Sequence, residues 1–428
     1  MSEPTIFATS SGAAPAAIAI IRVSGAVAFD VARALTGSVP APRRAVLRAL
    51  RDPSSQALLD RALVLVFPAP RTATGEDLVE FHVHGGRAVV AAVEAAIAAL
   101  PGTRRAEAGE FTRRALAAGV IDLTEAEGLG DLLAAETEAQ RRAALHVADG
   151  GLRARIDAWT DRLVGIAARI EAQLDFSDED DVATETMAVI AGDIAAVAGE
   201  IDALLAVPPV ERLYDGVRVV LAGPPNSGKS TLLNALSGRD VAIVSAISGT
   251  TRDRIEAPVQ RGGIAYLLTD TAGLTQTPGD EIERIGVGRA EAAIAGADIV
   301  LWLGDGPAPG PDHIAIHARA DLPDRGVVPE RAALAVSAAS GVGIVALWSL
   351  LERRATAMLP VADALVTNHR QRALLLDAMH HLAAAQHDDL LLVAEEVRGG
   401  LRALDRVAGR ADTEAVLDAI FSRFCIGK

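Results

Sequence analysis

The chain has 428 residues, of which 50% are hydrophobic and only 3% aromatic, and its formal net charge is −15. That length provides for about three domains, and the negative charge excludes a protein held to nucleic acid by phosphate neutralisation alone. A single cysteine, Cys425, excludes an intrachain disulfide framework, and no apolar run is long enough to span a membrane, so we expect a cytoplasmic protein.

The first predicted region, from Thr5 to about Leu116, alternates short strands with helices. Apolar, β-branched runs at 18–24, 62–67 and 77–85 have strand character, whereas 87–100 has helical spacing. Pro15 interrupts the first apolar patch and no basic residue precedes it, which favours a strand over a signal peptide. The pattern predicts an α+β N-terminal domain, residues 1–119.

A second, all-α region is predicted in two pieces. Helical stretches occupy 124–147, 151–174 and 187–206, and Pro208 and Pro209 end this run. Helical spacing resumes between Asn368 and Phe424. We therefore predict a discontinuous helical domain, 120–213 and 358–428, with an α/β nucleotide domain, 214–357, inserted into it.

The inserted region begins with a phosphate-binding pattern. Residues 223–231, GPPNSGKST, match G-x-x-x-x-G-K-[ST] at every fixed position, between an apolar strand and a helical stretch. Main-chain N–H groups of such a loop cradle phosphates, the lysine reaches the β and γ phosphates, and the hydroxyl holds Mg²⁺. The predicted contacts are Asn226, Ser227, Gly228, Lys229, Ser230 and Thr231.

A second strand, 264–269, leads into a motif that senses the γ phosphate. Asp270 can hold the Mg²⁺ shell through water, and a glycine N–H can bond the γ phosphate. In the loop between the two motifs, Thr251 can complete the Mg²⁺ coordination that Ser230 begins. This combination resembles GTPases and adds, as predicted contacts, Ser245, Ala246, Ile247, Ser248, Gly249, Thr250, Thr251, Asp270, Thr271, Ala272 and Gly273.

The base-reading motif departs from the usual N-K-x-D, because Ala318, Arg319, Ala320 and Asp321 stand there. Asp321 can accept from two guanine N–H groups, each charged hydrogen bond being worth about 1.5–3 kcal/mol. Losing the asparagine removes about 0.5–1.5 kcal/mol, while the stem of Arg319 can cover the base as lysine would. We predict a weakened but retained guanine preference, supported by a further contact loop containing Ser337 and Ala338.

The same domain is predicted to lack one helix. Strands at 299–303 and 313–317 are separated by nine residues, GDGPAPGPD, whose three prolines and three glycines cannot form the usual crossover helix. Extended chain covers about 3.3–3.6 Å per residue, enough for a direct return over one strand.

Several further motifs accompany the P-loop: IFATSSGAAPAAIAIIRVSG at the start, TGEDLVEFHVHGG at 74–86, GEFTRRAL, IDLTEAE and the terminal FCIGK. Together they resemble the MnmE (TrmE) family of tRNA modification GTPases, and the resemblance covers essentially the whole length. The resemblance implies a folate-binding N-terminal domain that dimerises, a helical domain and an inserted G domain. It also implies an FAD-containing partner, MnmG, in a heterotetramer or larger complex acting on tRNA. The modification would be an aminomethyl or carboxymethylaminomethyl group at C5 of the wobble uridine, its carbon coming from 5,10-methylene- or 5-formyl-tetrahydrofolate.

Site residues follow from the same resemblance. K⁺ would replace an arginine finger and bind Asn226, Ser245, Ile247 and Thr250, although Asn226 can also be read as a turn former. Glu283, in E-x-E-R-I-G, would orient the attacking water, or else be a helical surface charge. Folate would contact Arg22, Glu80 and Lys428, of which the first two could instead form a salt bridge.

Several alternatives stay open at this point. Val120 stands where the family has a lysine near the folate, and Cys425 is either a reactive thiol or a small packed residue. The chain could therefore be a nucleotide-gated assembly scaffold whose partner holds all the one-carbon chemistry. A ribosome-assembly GTPase is a third reading, which the acidic charge and the FCIGK ending disfavour.

Overall fold

A computed structural model describes residues 3–175, 187–238, 256–271, 288, 291–325, 327–360, 364–387, 389–410, 424 and 427. The chain divides into two compact units. The first contains Met1–Gly130, Ala148–Val164 and Leu401–Lys428, and the second contains Asp131–Val147 and Gly165–Gly400. No helix within the described ranges is both long and apolar enough to cross a membrane.

The first unit is built on a six-stranded sheet in the order β3-β4-β5-β2-β1-β6. Among the described strands of this sheet, β1 and β6 form the one parallel pair. Apolar residues at alternate strand positions face two helices, so one face of the sheet forms a core while the other carries mixed side chains. The strands are β1 Thr5–Thr9, β2 Ile18–Ser24, β3 Val46–Arg51, β4 Leu58–Phe67, β5 Leu78–His84 and β6 Thr103–Arg105, and the helices are α1 Ala28–Thr36, α2 Arg87–Ala98 and α3 Glu110–Ala117.

The helical run predicted over 124–147 is two helices, because a capping box interrupts it. Thr137 Oγ1 accepts from the N–H of Gln140 at 3.2 Å, and Gln140 Oε1 accepts from the N–H of Thr137 at 2.7 Å. This reciprocal pair starts a new helix at Glu138. The helices of this region are α4 Leu123–Ala134, α5 Glu138–Ala148, α6 Gly151–Asp175, α7 Met187–Leu205 and the short α8 Glu211–Tyr214.

A second six-stranded sheet lies in the other unit, in the order β12-β11-β10-β7-β9-β8. Its strands are parallel except β8, which runs antiparallel to β9. Two helices pack on its apolar core, and Tyr266 contacts Trp348 edge-on at 5.3 Å between ring centroids. The elements are β7 Val217–Ala222, α9 Lys229–Leu236, β8 Glu256–Arg261, β9 Ile264–Asp270, β10 Ile299–Trp302, β11 Ile314–His317, β12 Leu334–Ala335 and α10 Ile344–Thr356.

The connection between β10 and β11 contains no helix, in agreement with the prediction. The two strands are parallel neighbours, with Leu301 opposite Ile314, and residues 303–313 join them directly. This segment is folded onto itself, because the Trp302 indole N–H donates to Gly306 O at 3.3 Å and a Cβ on Gly304 would lie 2.6 Å from the indole.

Two further helices follow the second sheet, α11 His369–Ala384 and α12 Leu390–Ala408. Asn368 caps α11, accepting from the N–H of Gln371, whose side chain accepts in return from the N–H of Asn368. Arg372 of α11 donates to the carbonyls of Leu205 and Val207 at 2.6 and 2.9 Å. Helical segments from both sides of the nucleotide region therefore contact one another.

Candidate functional site

The P-loop has the backbone conformation that anion binding requires. Gly223, Asn226 and Gly228 have φ values of 151°, 60° and 96°, and Lys229 begins α9 directly after them. Alternation of left- and right-handed residues turns consecutive N–H groups toward one concavity. Glycine suits position 223 because residues with a side chain rarely adopt a φ of 151°, and a Cβ there would also lie close to Ser227 Oγ, at 3.1 Å, and to Gly304 N, at 3.3 Å.

Lys229 lies almost buried beneath this loop, with 4% of its surface exposed. Its ammonium donates to Gly223 O and Pro224 O, both at 2.8 Å. Burial lowers the pKa of Lys229, and the carboxylate of Asp270 opposes that shift. The charge is thus held by neutral main-chain oxygens close to the loop that would take the phosphates.

The two residues expected to manage Mg²⁺ are in contact. Ser230 Oγ donates to Asp270 Oδ2 across the ends of α9 and β9. Asp270 is 7% exposed, and the next residue, Thr271, donates its hydroxyl to Leu221 O at 3.0 Å. Hydroxyl and carboxylate oxygens are the hard donors that Mg²⁺ prefers, so this pair fits the ion.

A cavity of about 210 Å³ opens between the P-loop and the loops that follow β11 and β12. It joins the predicted base-reading residues Arg319 and Asp321 to Ala338 and to the start of α9. Ala318 is 3% exposed, so its methyl group belongs to the domain core as well. The lining residues are Gly228, Thr231, Leu232, Ala318, Arg319, Asp321, Leu322, Val336, Ala338 and Ala339.

Arg319 connects the predicted base-reading loop, residues 318–322, to the P-loop. It has a φ of 57°, and its Nη1 donates to the carbonyl of Asn226 at 3.0 Å. Its aliphatic stem lies against the P-loop, since a Cβ on Gly228 would be 3.3 Å from Arg319 Cγ. The side chain of Asn226 is exposed beside this contact. The proposed roles of Arg319 over the base and of Asn226 at a potassium ion remain predictions.

Ser337 shapes the last contact loop. It is fully buried, and its Oγ accepts from the N–H of Ser340 at 3.0 Å. Its own N–H donates to Val342 O, and its carbonyl accepts from the N–H of Gly341, both at 2.9 Å. These bonds close a tight turn that presents Ala338 to the cavity.

The remaining residues predicted around the nucleotide lie outside the described part of the chain. They are Ser245, Ala246, Ile247, Ser248, Gly249, Thr250, Thr251, Ala272, Gly273 and Glu283. Lys428 and Cys425 of the terminal motif also lie outside it.

In the other unit, the predicted folate residues Arg22 and Glu80 bind each other. They are register partners on β2 and β5, and Arg22 Nε and Nη2 donate to Glu80 Oε1 at 3.1 and 2.8 Å. His82 Nε2 lies 3.2 Å from the second carboxylate oxygen, and the Arg22 guanidinium lies 5.8 Å from the Phe111 ring centroid. Burial alone would raise the pKa of Glu80, but the hydrogen bonds from Arg22 and His82 lower it below its usual value. Val120 is 38% exposed in the loop after α3.

Sequence reasoning missed one group near the cavity. Arg325, in the turn Pro323–Arg325, donates its Nε to Ala318 O at 2.9 Å and forms an ion pair with Asp305 at 2.8 Å. Ala318 is a motif position, but Arg325 and Asp305 are not, and both contacts depend on how the loops fold, so no spacing signal indicates them. Leu322 and Val336 also line the cavity without having been predicted.

Matches to known protein families and relatives cover nearly the whole chain. The family model described as MnmE helical domain matches residues 123–425, and that of the GTP-binding protein TrmE N-terminus matches residues 5–120. Proteins named tRNA modification GTPase MnmE are similar along their length. That of Rhizorhabdus wittichii is 55% identical over 99% of this chain and 96% of its own. Those of Erythrobacter litoralis and Zymomonas mobilis are 52% and 50% identical over 99% of this chain and 100% of their own.

Proposed function

This chain belongs to the MnmE family of tRNA modification GTPases, and on that premise we propose that it hydrolyses GTP in the service of tRNA modification. The observation that carries the hydrolase reading is the P-loop itself. A nearly buried Lys229 reaches the loop carbonyls, and the Ser230 hydroxyl contacts Asp270. These are the parts that hold a triphosphate and its Mg²⁺.

In this function the chain's own groups bind and orient the nucleotide. The P-loop N–H groups and Lys229 would take the β and γ phosphates, exchanging the lysine's carbonyl partners for phosphate oxygens. Ser230 and Asp270 would hold Mg²⁺, directly and through water, with Thr251 as a further ligand. When bound, the ion supplies positive charge to the phosphate oxygens.

Guanine preference follows from the cavity beside the P-loop. Asp321 lies at its edge with an exposed carboxylate that can accept two guanine N–H bonds, an arrangement adenine cannot use. Ala318 contributes only a methyl group, so one polar contact of the usual motif is missing. We therefore propose that guanine is preferred to adenine, but by less than in a chain with the complete motif.

Hydrolysis would depend on K⁺ and on Glu283. Asn226 offers an exposed amide next to the P-loop, and Ser245, Ile247 and Thr250 would supply further oxygens. A monovalent cation there supplies the charge that an arginine finger supplies in other GTPases. Glu283 would orient the attacking water, accepting a hydrogen bond from it.

The modification would take place in a larger assembly. We propose that the chain forms a homodimer through its N-terminal domain and joins the FAD-containing MnmG in a heterotetramer or larger complex in the cytoplasm. Together they would add an aminomethyl or carboxymethylaminomethyl group to C5 of the wobble uridine of certain tRNAs. A tetrahydrofolate one-carbon unit would be bound near Arg22, Glu80 and Lys428, with the pteridine competing for the present Arg22–Glu80 contact.

The decisive experiment compares steady-state GTP hydrolysis in KCl and NaCl, with and without MnmG. We expect hydrolysis in KCl to exceed that in NaCl, and the partner to increase it. Glu283→Ala should abolish turnover while GTP still binds, and Glu281→Ala is the matched control in the same segment. Equal rates in both salts would contradict the role of Asn226, and preserved turnover in E283A would contradict that of Glu283.

A test of the folate proposal separates the leading reading from a scaffold without one-carbon chemistry. Titration with 5-formyl-tetrahydrofolate should show binding that both Arg22→Met and Glu80→Gln weaken. A chain that hydrolyses GTP and supports the partner but binds no folate would favour the scaffold.

A further inference from the structure

The base-reading loop, residues 318–322, has alanine at the position where the usual motif has asparagine. Ala318 is 3% exposed and offers only its main-chain groups for hydrogen bonding. A loop that presents Asp321 at a fixed position must itself be held in place, because hydrogen bonds to an acceptor on a moving loop lose their orientation.

Arg325 provides such a tether from the turn that follows the loop. Its Nε donates to the carbonyl of Ala318 at 2.9 Å, so it holds the residue at which the asparagine would stand. The side chain is only 12% exposed. A charged donor removed from water makes a stronger hydrogen bond than a neutral one, so this contact holds Ala318 firmly.

Asp305 holds the other end of Arg325. Its two carboxylate oxygens lie 2.8 and 2.9 Å from Arg325 Nη1. Asp305 belongs to the helix-free connection 303–313, which is compact: Trp302 donates to Gly306 O, and a Cβ on Gly310 would lie 2.8 Å from His313 Nε2. The direct return of the chain therefore places a carboxylate beside the base-reading loop.

Two side-chain contacts therefore hold the loop, Arg325 at Ala318 O and Arg319 at Asn226 O, and they add to the main-chain bond from the Ala320 N–H to Val336 O at 3.0 Å. We propose that Arg325, held by Asp305, is a positioning residue for the nucleobase, and that this pair holds the loop at the position where the usual motif has asparagine. This inference rests on the proposed guanine nucleotide function and deepens it. Guanine recognition then depends on a connection in which no helix is present.

The test measures binding to the full-length chain by calorimetry with three probes: GDP, ADP and inorganic tripolyphosphate. For Arg325→Met we expect about tenfold weaker GDP binding, the loss of one charged hydrogen bond, with ADP and tripolyphosphate changed less than about twofold. Arg325→Lys, which keeps one donor, should recover part of the loss. Arg331→Met is the matched control, an exposed arginine close to Arg325 in sequence, and should bind all three as the wild type does.

Asp305→Asn keeps the test decisive if R325M does not fold, because Asp305 is 75% exposed and its replacement leaves the core intact. It should weaken GDP binding about threefold, and the R325M/D305N double variant should match R325M alone. A wild-type chain that binds GDP and ADP equally would refute the guanine preference and the tether with it. A wild-type preference that survives unchanged in R325M or D305N would refute the tether alone, and so would equal losses for GDP and tripolyphosphate.

Discussion

Breaking the Arg22–Glu80 pair should loosen the centre of the first sheet. Arg22→Met leaves the Glu80 carboxylate with His82 as its described partner, at 15% side-chain exposure. Removing one member of a fully buried pair costs about 3–5 kcal/mol and an exposed pair is worth about 0–1 kcal/mol. At this intermediate exposure we expect the free energy of local opening to fall by about 2 kcal/mol, which corresponds to roughly 30-fold faster amide exchange in strands β2 and β5.

Hydrogen–deuterium exchange of peptides covering 18–24 and 78–84 measures that change locally, which a global unfolding curve of a multidomain chain does not. The R22M/E80Q double variant removes the stranded charge and should recover to within about 1 kcal/mol of the wild type. Arg33→Met, which breaks an exposed pair with Asp30, is the control and should change exchange by less than about 0.5 kcal/mol.

The same pair predicts a pH dependence. The pKa of Glu80 is lowered in the folded chain, so its stabilisation is present above the unfolded-state pKa and is lost as pH falls through the folded-state value. The difference in amide exchange rate between wild type and R22M should therefore shrink below about pH 4. Two results would refute the argument that charge pairing holds these strands. One is that the effects of R22M and E80Q on exchange add in the double variant, and the other is that the difference between wild type and R22M persists in acid.

Three other substitutions test local devices. Gly343→Ala should lower both the melting temperature and the nucleotide affinity, because the φ of Gly343 is 76° and the new Cβ would lie 2.1 Å from Ala335 O. Gly341 has a φ of 80° but open space around it, so Gly341→Ala should lower the free energy of unfolding by only about 1 kcal/mol. Equal effects of the two variants would contradict the steric argument. Gln140→Leu should destabilise the chain by about 3 kcal/mol in chemical denaturation, since it leaves three main-chain groups without their bonds, whereas a loss under about 1 kcal/mol would contradict this. Asn368→Ala should cost about 1 kcal/mol, seen as faster exchange at the start of α11; unchanged exchange would show that the capping box is not needed.

Most of the elements that could be predicted from the sequence are set by local patterns of residues. The P-loop, the strand before Asp270 and the helix-free connection are short segments in which glycine, proline and β-branched residues decide the backbone. A T-x-x-Q capping signal at 137–140 was present too, but the surrounding helical spacing on both sides concealed the break.

Contacts between distant segments could not be predicted in the same way. The charges of Arg22 and Glu80 allowed a salt bridge as the alternative to folate contacts, but whether they meet depends on the register of two strands 58 residues apart in sequence, and a one-residue slip would separate them. The contact of Arg325 with Ala318 depends on loop conformations that periodicity does not describe. Single residues were therefore assigned to functions before their partners within the fold were known.

The helix-free connection 303–313 also bears on how the chain folds. Bringing β10 and β11 together closes a loop of only these residues, and each halving of loop length lowers the entropic cost of closure by about 0.6 kcal/mol. Parallel strands joined through a helix lack that advantage and generally pair late. Among the described parallel pairs of this sheet, β10 and β11 are therefore joined by the shortest connection and have the lowest entropic cost of pairing.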